Sequence, residues 1–194
     1  WGYGWKDVCK KYPKLIYASA SGFGQTGPLR ELPAYDMVVQ GMGGLMSVTG
    51  QPDSEPTRVG TSIGDITAGL FTAIGVNAAL YDREKTGKGT FIDVSMLDCQ
   101  IAILENAIAR YLSKKEIPKP MGSRHPSIAP FEAFKTMDNY IIIAAGNDKL
   151  FEKLCDLLNI SEISKDEKFN SNSARSKHMD ELKVILEKKL SSKS

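Results

Sequence analysis

Asp65, in the stretch TSIGDITAGLFTAIGVNAALYDREKTGKG, stands ahead of a run of mostly small, apolar positions. Two readings of it are open. As an N-cap, its carboxylate accepts hydrogen bonds from the orphan N–H groups of a first helical turn, with Gly64 easing a sharp entry. The other reading is catalytic, and spacing alone favours the cap, because most acidic residues that open helices do only that. The other chemistry-bearing residues are scattered. Gly22 and Gly24 in SGFGQTGP form a G-x-G without a third glycine in register, which serves a tight turn as well as a ligand wall. His125 lies in GSRHPSIAP, and His178 in a polar helical stretch that places it at the surface. Cys9, Cys99 and Cys155 are odd in number, far apart and without a C-x-x-C pair, so they read as core thiols rather than a disulfide framework or zinc site.

The elements that must position these residues follow from periodicity and breakers. WKDVCKKYPKLIYASASGFG reads as a short helix, a break at Pro13, and a strand over Leu15 to Ala18 running into the glycine loop. Helix, strand and loop in that order imply an α/β unit, whose ligands sit at the carboxyl ends of strands. YDMVVQGMGGLMSVTG has helical spacing weakened by Gly41, Gly43 and Gly44. Arg58 to Ile63 reads as a short extended segment feeding Asp65, and the long helix then runs to about Glu84, closed by the lysines and C′-type glycine of REKTGKG. TFIDVSML alternates as a strand, and Asp98 to Leu112 forms an amphipathic helix. Ser113 to Pro130 is a Lys-, Pro-, Gly- and Ser-bearing connector. FEAFKTMDNYIIIAAG predicts a β-hairpin turning at Met137 to Asn139, followed by helices over Asp148 to Leu158 and Ser173 to Leu190. Phe169 to Ser176, FNSNSARS, is a polar connection.

Composition bounds the function. The chain has 194 residues, 42% hydrophobic and 25% charged, with a net charge of +2. That is a globular composition without the basic field a nucleic acid partner needs. Thr67, Gly69, Thr72, Gly75 and Asn77 interrupt the apolar run from Ile66 to Leu80, so no membrane span and a soluble compartment are expected. The start at Trp1 and the end within a lysine-rich helical pattern suggest a piece of a longer protein.

SGFGQTGP, then YD, then GDITAG, then REKTGKGTFIDVSML, in this order and spacing, resemble the family III CoA-transferases over nearly the whole chain. GLMSVTG and HPSIAPFEAFKTMDNYIIIAAGN look most like the branch containing succinate–hydroxymethylglutarate CoA-transferase. The resemblance implies an α/β fold: a partial Rossmann-like large domain over 1–112 that binds CoA, a connector over 113–130, and the start of a smaller α+β domain over 131–194. It implies that Asp65 is a nucleophile, attacking an acyl-CoA to give an aspartyl anhydride and then an aspartyl-CoA thioester, with coenzyme A as substrate and product and no metal. Acceptors would be carboxylic acids, small dicarboxylates among them.

Pro33, Ala34, Tyr35 and Met96 stand where the family contacts CoA, although Pro33 replaces a basic residue that pairs with the nucleotide in some members. Related racemases carry a His where Tyr35 stands, and a phenol is a poor base near neutrality, so the resemblance disfavours racemisation. A non-catalytic CoA-binding module is the alternative of another class. His125 and Ser127 occupy the place of a loop over the active site in some transferases, where they either line the acyl pocket or serve structure alone. Tyr35 in turn either flanks CoA or is a partly buried core aromatic. The family implies an interlocked homodimer for the full-length protein and an isolated piece that is inactive or folds poorly; the reduced cysteines fit a cytoplasmic location, or a mitochondrial matrix one in a eukaryote.

Overall fold

The computed structural model describes residues 2–193. They form two compact units, one reaching to Pro120 and the other starting at Met121.

The first unit contains α1 (Trp5–Val8), β1 (Tyr17–Ser21), α2 (Asp36–Met42), a 3-10 turn (Leu45–Ser47), α3 (Ile63–Thr86), β2 (Phe91–Ser95), α4 (Met96–Ile103) and α5 (Glu105–Lys114). β1 and β2 pair in parallel, Tyr17 opposite Phe91 and Ser21 opposite Ser95. A parallel pair needs a crossover, and α3 is the long helix that supplies it. Trp5, Tyr17 and Phe91 gather at the amino ends of the strands with ring centroids about 6 Å apart. Val39, Ala68, Val94, Met96 and Cys99 form the core where α2, α3, β2 and α4 meet, with Ala34, Ile92 and Leu97 packed on it. The expected glycine stop is present: Gly87 is left-handed at φ +70° and its N–H bonds to the Arg83 carbonyl.

Local expectations fail at specific places. β1 begins at Tyr17 rather than Leu15, and Ile63, read as the end of an extended segment, is the first residue of α3. The helix expected over Asp98 to Leu112 starts earlier and breaks in two at Leu104; Ser95 caps its start, its Oγ accepting the Asp98 N–H at 3.2 Å. The interruptions between Ile66 and Leu80 do not exclude a span either, since an 18-residue window of α3 has a mean hydropathy of 1.4. In this unit α3 packs against β1, β2, α2 and α4.

The second unit opens with the expected antiparallel hairpin, β3 (Phe131–Lys135) and β4 (Tyr140–Ala144), Lys135 opposite Tyr140. α6 (Asp148–Leu157) follows, its Asn147 cap accepting the Leu150 N–H at 2.9 Å. A 3-10 turn (Ser161–Lys165), α7 (Asn172–Lys177) and α8 (Met179–Leu190) complete it. The last helix is thus two, divided at His178, which is half-buried with its ring edge-on to Phe169. Leu182, Leu186 and Leu190, one turn apart on α8, pack with Phe134, Phe151, Cys155 and Phe169.

The segment FNSNSARS is more than a polar connection. Ser171 caps α7, and Arg175 is completely buried. The guanidinium donates to the Ala129 and Phe169 carbonyls and to Asp148, at 2.7 to 2.9 Å, and lies over the Phe151 ring. Cys99 and Cys155 are core thiols as expected, whereas Cys9 is only half-buried.

Candidate active site

Asp65 is not the cap of its helix. Ser62 holds the N-cap position, so Asp65 falls in the first turn, three residues later, with its side chain exposed. Among the described residues its carboxylate has no hydrogen-bond or ion-pair partner, and its own N–H has no acceptor. The first i to i−4 bond of α3 runs from the Ile66 N–H to the Ser62 carbonyl. An exposed carboxylate beside a free N–H at the positive end of a 24-residue helix is suited to nucleophilic attack. The sequence did carry the signal for this placement: Ser62 three residues before Asp65 is the S-x-x-D pattern of a helix start.

The capping role read into Asp65 belongs to Asp36. Its Oδ1 accepts the Gly64 N–H at 2.8 Å, and its Oδ2 accepts Gln40 Nε2 at 2.8 Å and faces Arg58 Nη1 at 3.6 Å. Gln40, fully buried, accepts the Val59 N–H on its Oε1 at 2.8 Å. Gly64 makes this docking possible: a Cβ there would lie 2.7 Å from Val39 Cγ2 and 3.0 Å from Asp36 Oδ1. Sequence reasoning missed Asp36 and Gln40 as parts of the site, since no local spacing links them to a helix starting some thirty residues later.

Tyr35 precedes Asp36 as the N-cap of α2 and is 79% exposed, so it is not a core aromatic. Pro33 is exposed, and Ala34 packs on the core cluster that contains Met96. Met96 itself is buried at the first position of α4. Ala34 also abuts Gly22, where a Cβ would lie 2.4 Å from the Ala34 methyl. The glycine loop is drawn onto β2 by Asp93, whose carboxylate oxygens accept the Gln25 N–H at 2.9 and 3.1 Å. Pro33–Tyr35 and Asp65 therefore flank the two ends of one hydrogen bond, Gly64 N–H to Asp36. Two cavities lie elsewhere in this unit. One of about 240 Å³ is lined by Phe71, Asp93, Ser95, Asp98 and Cys99, and one of about 280 Å³ by Val48, Leu104, Ile108, Tyr111 and Ile117. Neither is lined by Asp65 or Tyr35.

His125 and Ser127 lie in the second unit. The His125 N–H donates to the Phe131 carbonyl at 2.8 Å, its ring stacks on Phe131 at 5.2 Å, and its Nδ1 accepts the Ser127 N–H at 3.2 Å. Ser127 is exposed, and its carbonyl accepts Asn172 Nδ2. A small cavity of about 80 Å³ is lined by His125, Arg124, Ile128 and Met179 among others.

Comparison with known proteins adds an independent line. The family model for CoA-transferase family III matches residues 1–194. The acetyl-CoA:oxalate CoA-transferase of Acetobacter aceti is 48% identical over 191 residues, covering 98% of this chain and 49% of the relative. The succinate–glutarate CoA-transferase of Agrobacterium fabrum is 42% identical over 174 residues, covering 90% and 44% respectively. A crystal structure of a CaiB/BaiF family protein from Brucella suis superposes with a TM-score of 0.84 at 43% identity, over all of this chain and 51% of that one. A hypothetical protein from Mycobacterium tuberculosis superposes at 0.87 with 30% identity, again over the whole of this chain and 51% of that one. The chain spans about half the length of these relatives.

Proposed function

Because this chain belongs to CoA-transferase family III, we propose that the full-length protein moves CoA from an acyl-CoA donor to a carboxylic acid acceptor with Asp65 as nucleophile. The observation that carries the reading is the exposed Asp65 carboxylate at the start of α3, without a partner among the described residues. A carboxylate oxygen of Asp65 attacks the thioester carbonyl, the C–S bond breaks, and CoA leaves as the thiolate with a mixed anhydride in place. The thiolate then attacks the aspartyl carbonyl and releases the donor carboxylate, leaving an aspartyl-CoA thioester. The acceptor carboxylate attacks that thioester and expels the thiolate, which finally takes the acceptor acyl group and restores Asp65. Both high-energy bonds are open to hydrolysis, so water has to be excluded from the site.

The acceptors we propose are small dicarboxylates, supported by the oxalate and succinate–glutarate names of the relatives. Pro33, Ala34, Tyr35 and Met96 are the proposed CoA contacts, the exposed Tyr35 ring offering an aromatic face and Met96 acting from the core cluster on which Ala34 packs. His125 and Ser127 are proposed for the acyl pocket of a cytoplasmic homodimer.

The test is a mass measurement on the full-length protein incubated with succinyl-CoA and then hydroxylamine. A hydroxamate is expected at Asp65, with CoA transfer to oxalate or glutarate. Asp65→Asn, which preserves the size of the side chain, is expected to lower kcat by at least about 10³-fold. Retention of transfer in that variant would overturn the assignment.

A further inference from the structure

We propose that Asp36 is a positioning residue for Asp65: by capping α3 at Gly64 it fixes where the helix begins and leaves the Asp65 carboxylate free for the acyl group. The proposal rests on Asp65 being the nucleophile. Asp36 is buried, only 8% exposed, and a buried carboxylate is costly unless its oxygens are satisfied. Here they are, and by partners that converge on one point. Oδ1 holds the Gly64 N–H, the amide next to Asp65, while Oδ2 holds Gln40 and faces Arg58. Gln40 carries the same tie to Val59, and Arg58 Nη2 donates to the Gly60 carbonyl at 3.1 Å. The loop that enters α3 is thus fastened at Arg58, Val59 and Gly64 from two residues of α2.

Apolar packing alone does not give this directionality. Val39 and Ala68 hold α2 against α3, yet such contacts tolerate small slides, whereas the Gly64 hydrogen bond has one distance and one angle. A shift of about 1 Å in a reacting group costs on the order of 10²-fold in rate. Asp36 also does what Asp65 would otherwise do. Without an acceptor at position 36, the nearest free carboxylate for the first-turn N–H groups is Asp65 itself, and a carboxylate folded back into a cap is a hindered nucleophile.

The experiment compares kcat and KM of the full-length enzyme with succinyl-CoA and oxalate, alongside thermal melting. In Asp36→Asn the new amide nitrogen meets the Gln40 amide nitrogen, donor against donor, and the network opens. We expect kcat to fall about 10- to 100-fold with KM for the donor within about threefold. Pairing it with Gln40→Glu restores the three hydrogen bonds, one with its direction reversed, though not the ion pair of Arg58 with Asp36. The amide at position 36 then donates to the carboxylate at position 40, which still accepts the Val59 N–H. kcat of the double variant is expected within about fivefold of wild type, a rescue that a general loss of stability would not give.

Unchanged kcat in folded Asp36→Asn would overturn the proposal, as would a double variant that melts like wild type without recovering kcat. Should Asp36→Asn not fold, Arg58→Gln on a half-exposed side chain decides: a loss of about three- to tenfold in kcat is expected, and no loss overturns it. Hydroxylamine trapping separates this failure from that of the parent reading. No label at Asp65 in the wild-type enzyme defeats the nucleophile assignment. Labelling at Asp65 that the Asp36 variants do not slow defeats only the positioning role.

Discussion

The two units spend their buried polar groups differently. In the second, Arg175 is wrapped by two backbone carbonyls, Asp148 and the Phe151 ring, and Glu132 is held by Arg124 and Lys183, so the charges fasten a core that its own apolar residues already close. In the first, Asp36 and Gln40 are buried against the entry of a helix whose outward apolar side chains Ile66, Leu70, Ile74 and Tyr81 stay largely exposed. One set of buried polar groups secures a core, and the other secures the position of a single exposed carboxylate. Burial of a polar residue is thus no sign of function by itself; what its hydrogen bonds hold in place tells the two cases apart.

The largest effect that would break this contrast is at Arg175. Arg175→Met keeps much of the volume but leaves the Ala129 and Phe169 carbonyls without donors, and is expected to destabilise the second unit by about 3 kcal/mol or more. Both tryptophans lie in the first 120 residues. Urea unfolding followed by their fluorescence is therefore expected to stay near wild type, while amide NMR signals of α6 and α8 are lost at lower urea. Equal shifts by both probes would mean that the contrast between the units is not one of separate cores.

Cys155 gives a smaller effect with a defined pH direction. Burial, reinforced by Asp156, pushes its thiol from 9.0 up to about 11. A folded-state value above the unfolded one means that the neutral thiol is favoured by folding. Its contribution is complete below pH 9 and is lost as the pH rises through about 11. The second unit should lose on the order of 2 kcal/mol over that interval. In Cys155→Ala the same NMR-detected unfolding should show a shallower fall with pH. An unchanged slope would place the alkaline sensitivity elsewhere.

What the sequence made legible was whatever depends on near neighbours. The β3–β4 hairpin, α6 and the long helix with its Gly87 stop all follow from local periodicity and breakers. The motif order also made the family legible. The breaks at Leu104 and His178 were not legible, because apolar spacing continues across both while the backbone does not. Arg175 was hidden in a serine- and asparagine-rich stretch whose composition says surface; its burial is decided by Asp148, Phe151 and Phe169, all outside α7. At the site, Asp65 stood out by type and place, but the cap it was expected to form comes from Asp36, whose partner lies 28 positions away.

The smallest expected effect tests the exposed side of the comparison. Ile74 is 63% exposed on α3, so replacing it removes little buried area, and glutamine is at least as good a helix former as the β-branched isoleucine. Ile74→Gln should therefore change the stability of this chain by less than about 0.5 kcal/mol. Leu186→Ala, at a fully buried position of α8, should cost about 2–5 kcal/mol in the second unit. Tryptophan fluorescence suits the first measurement, because Trp5 stacks on Phe91 and near Tyr17 at the sheet that α3 covers. A loss above about 1 kcal/mol in Ile74→Gln would show that this side chain is covered in solution. The outward face of α3 would then be holding the first unit together as α8 holds the second, and the distinction between a self-closed core and an aimed helix would fall with it.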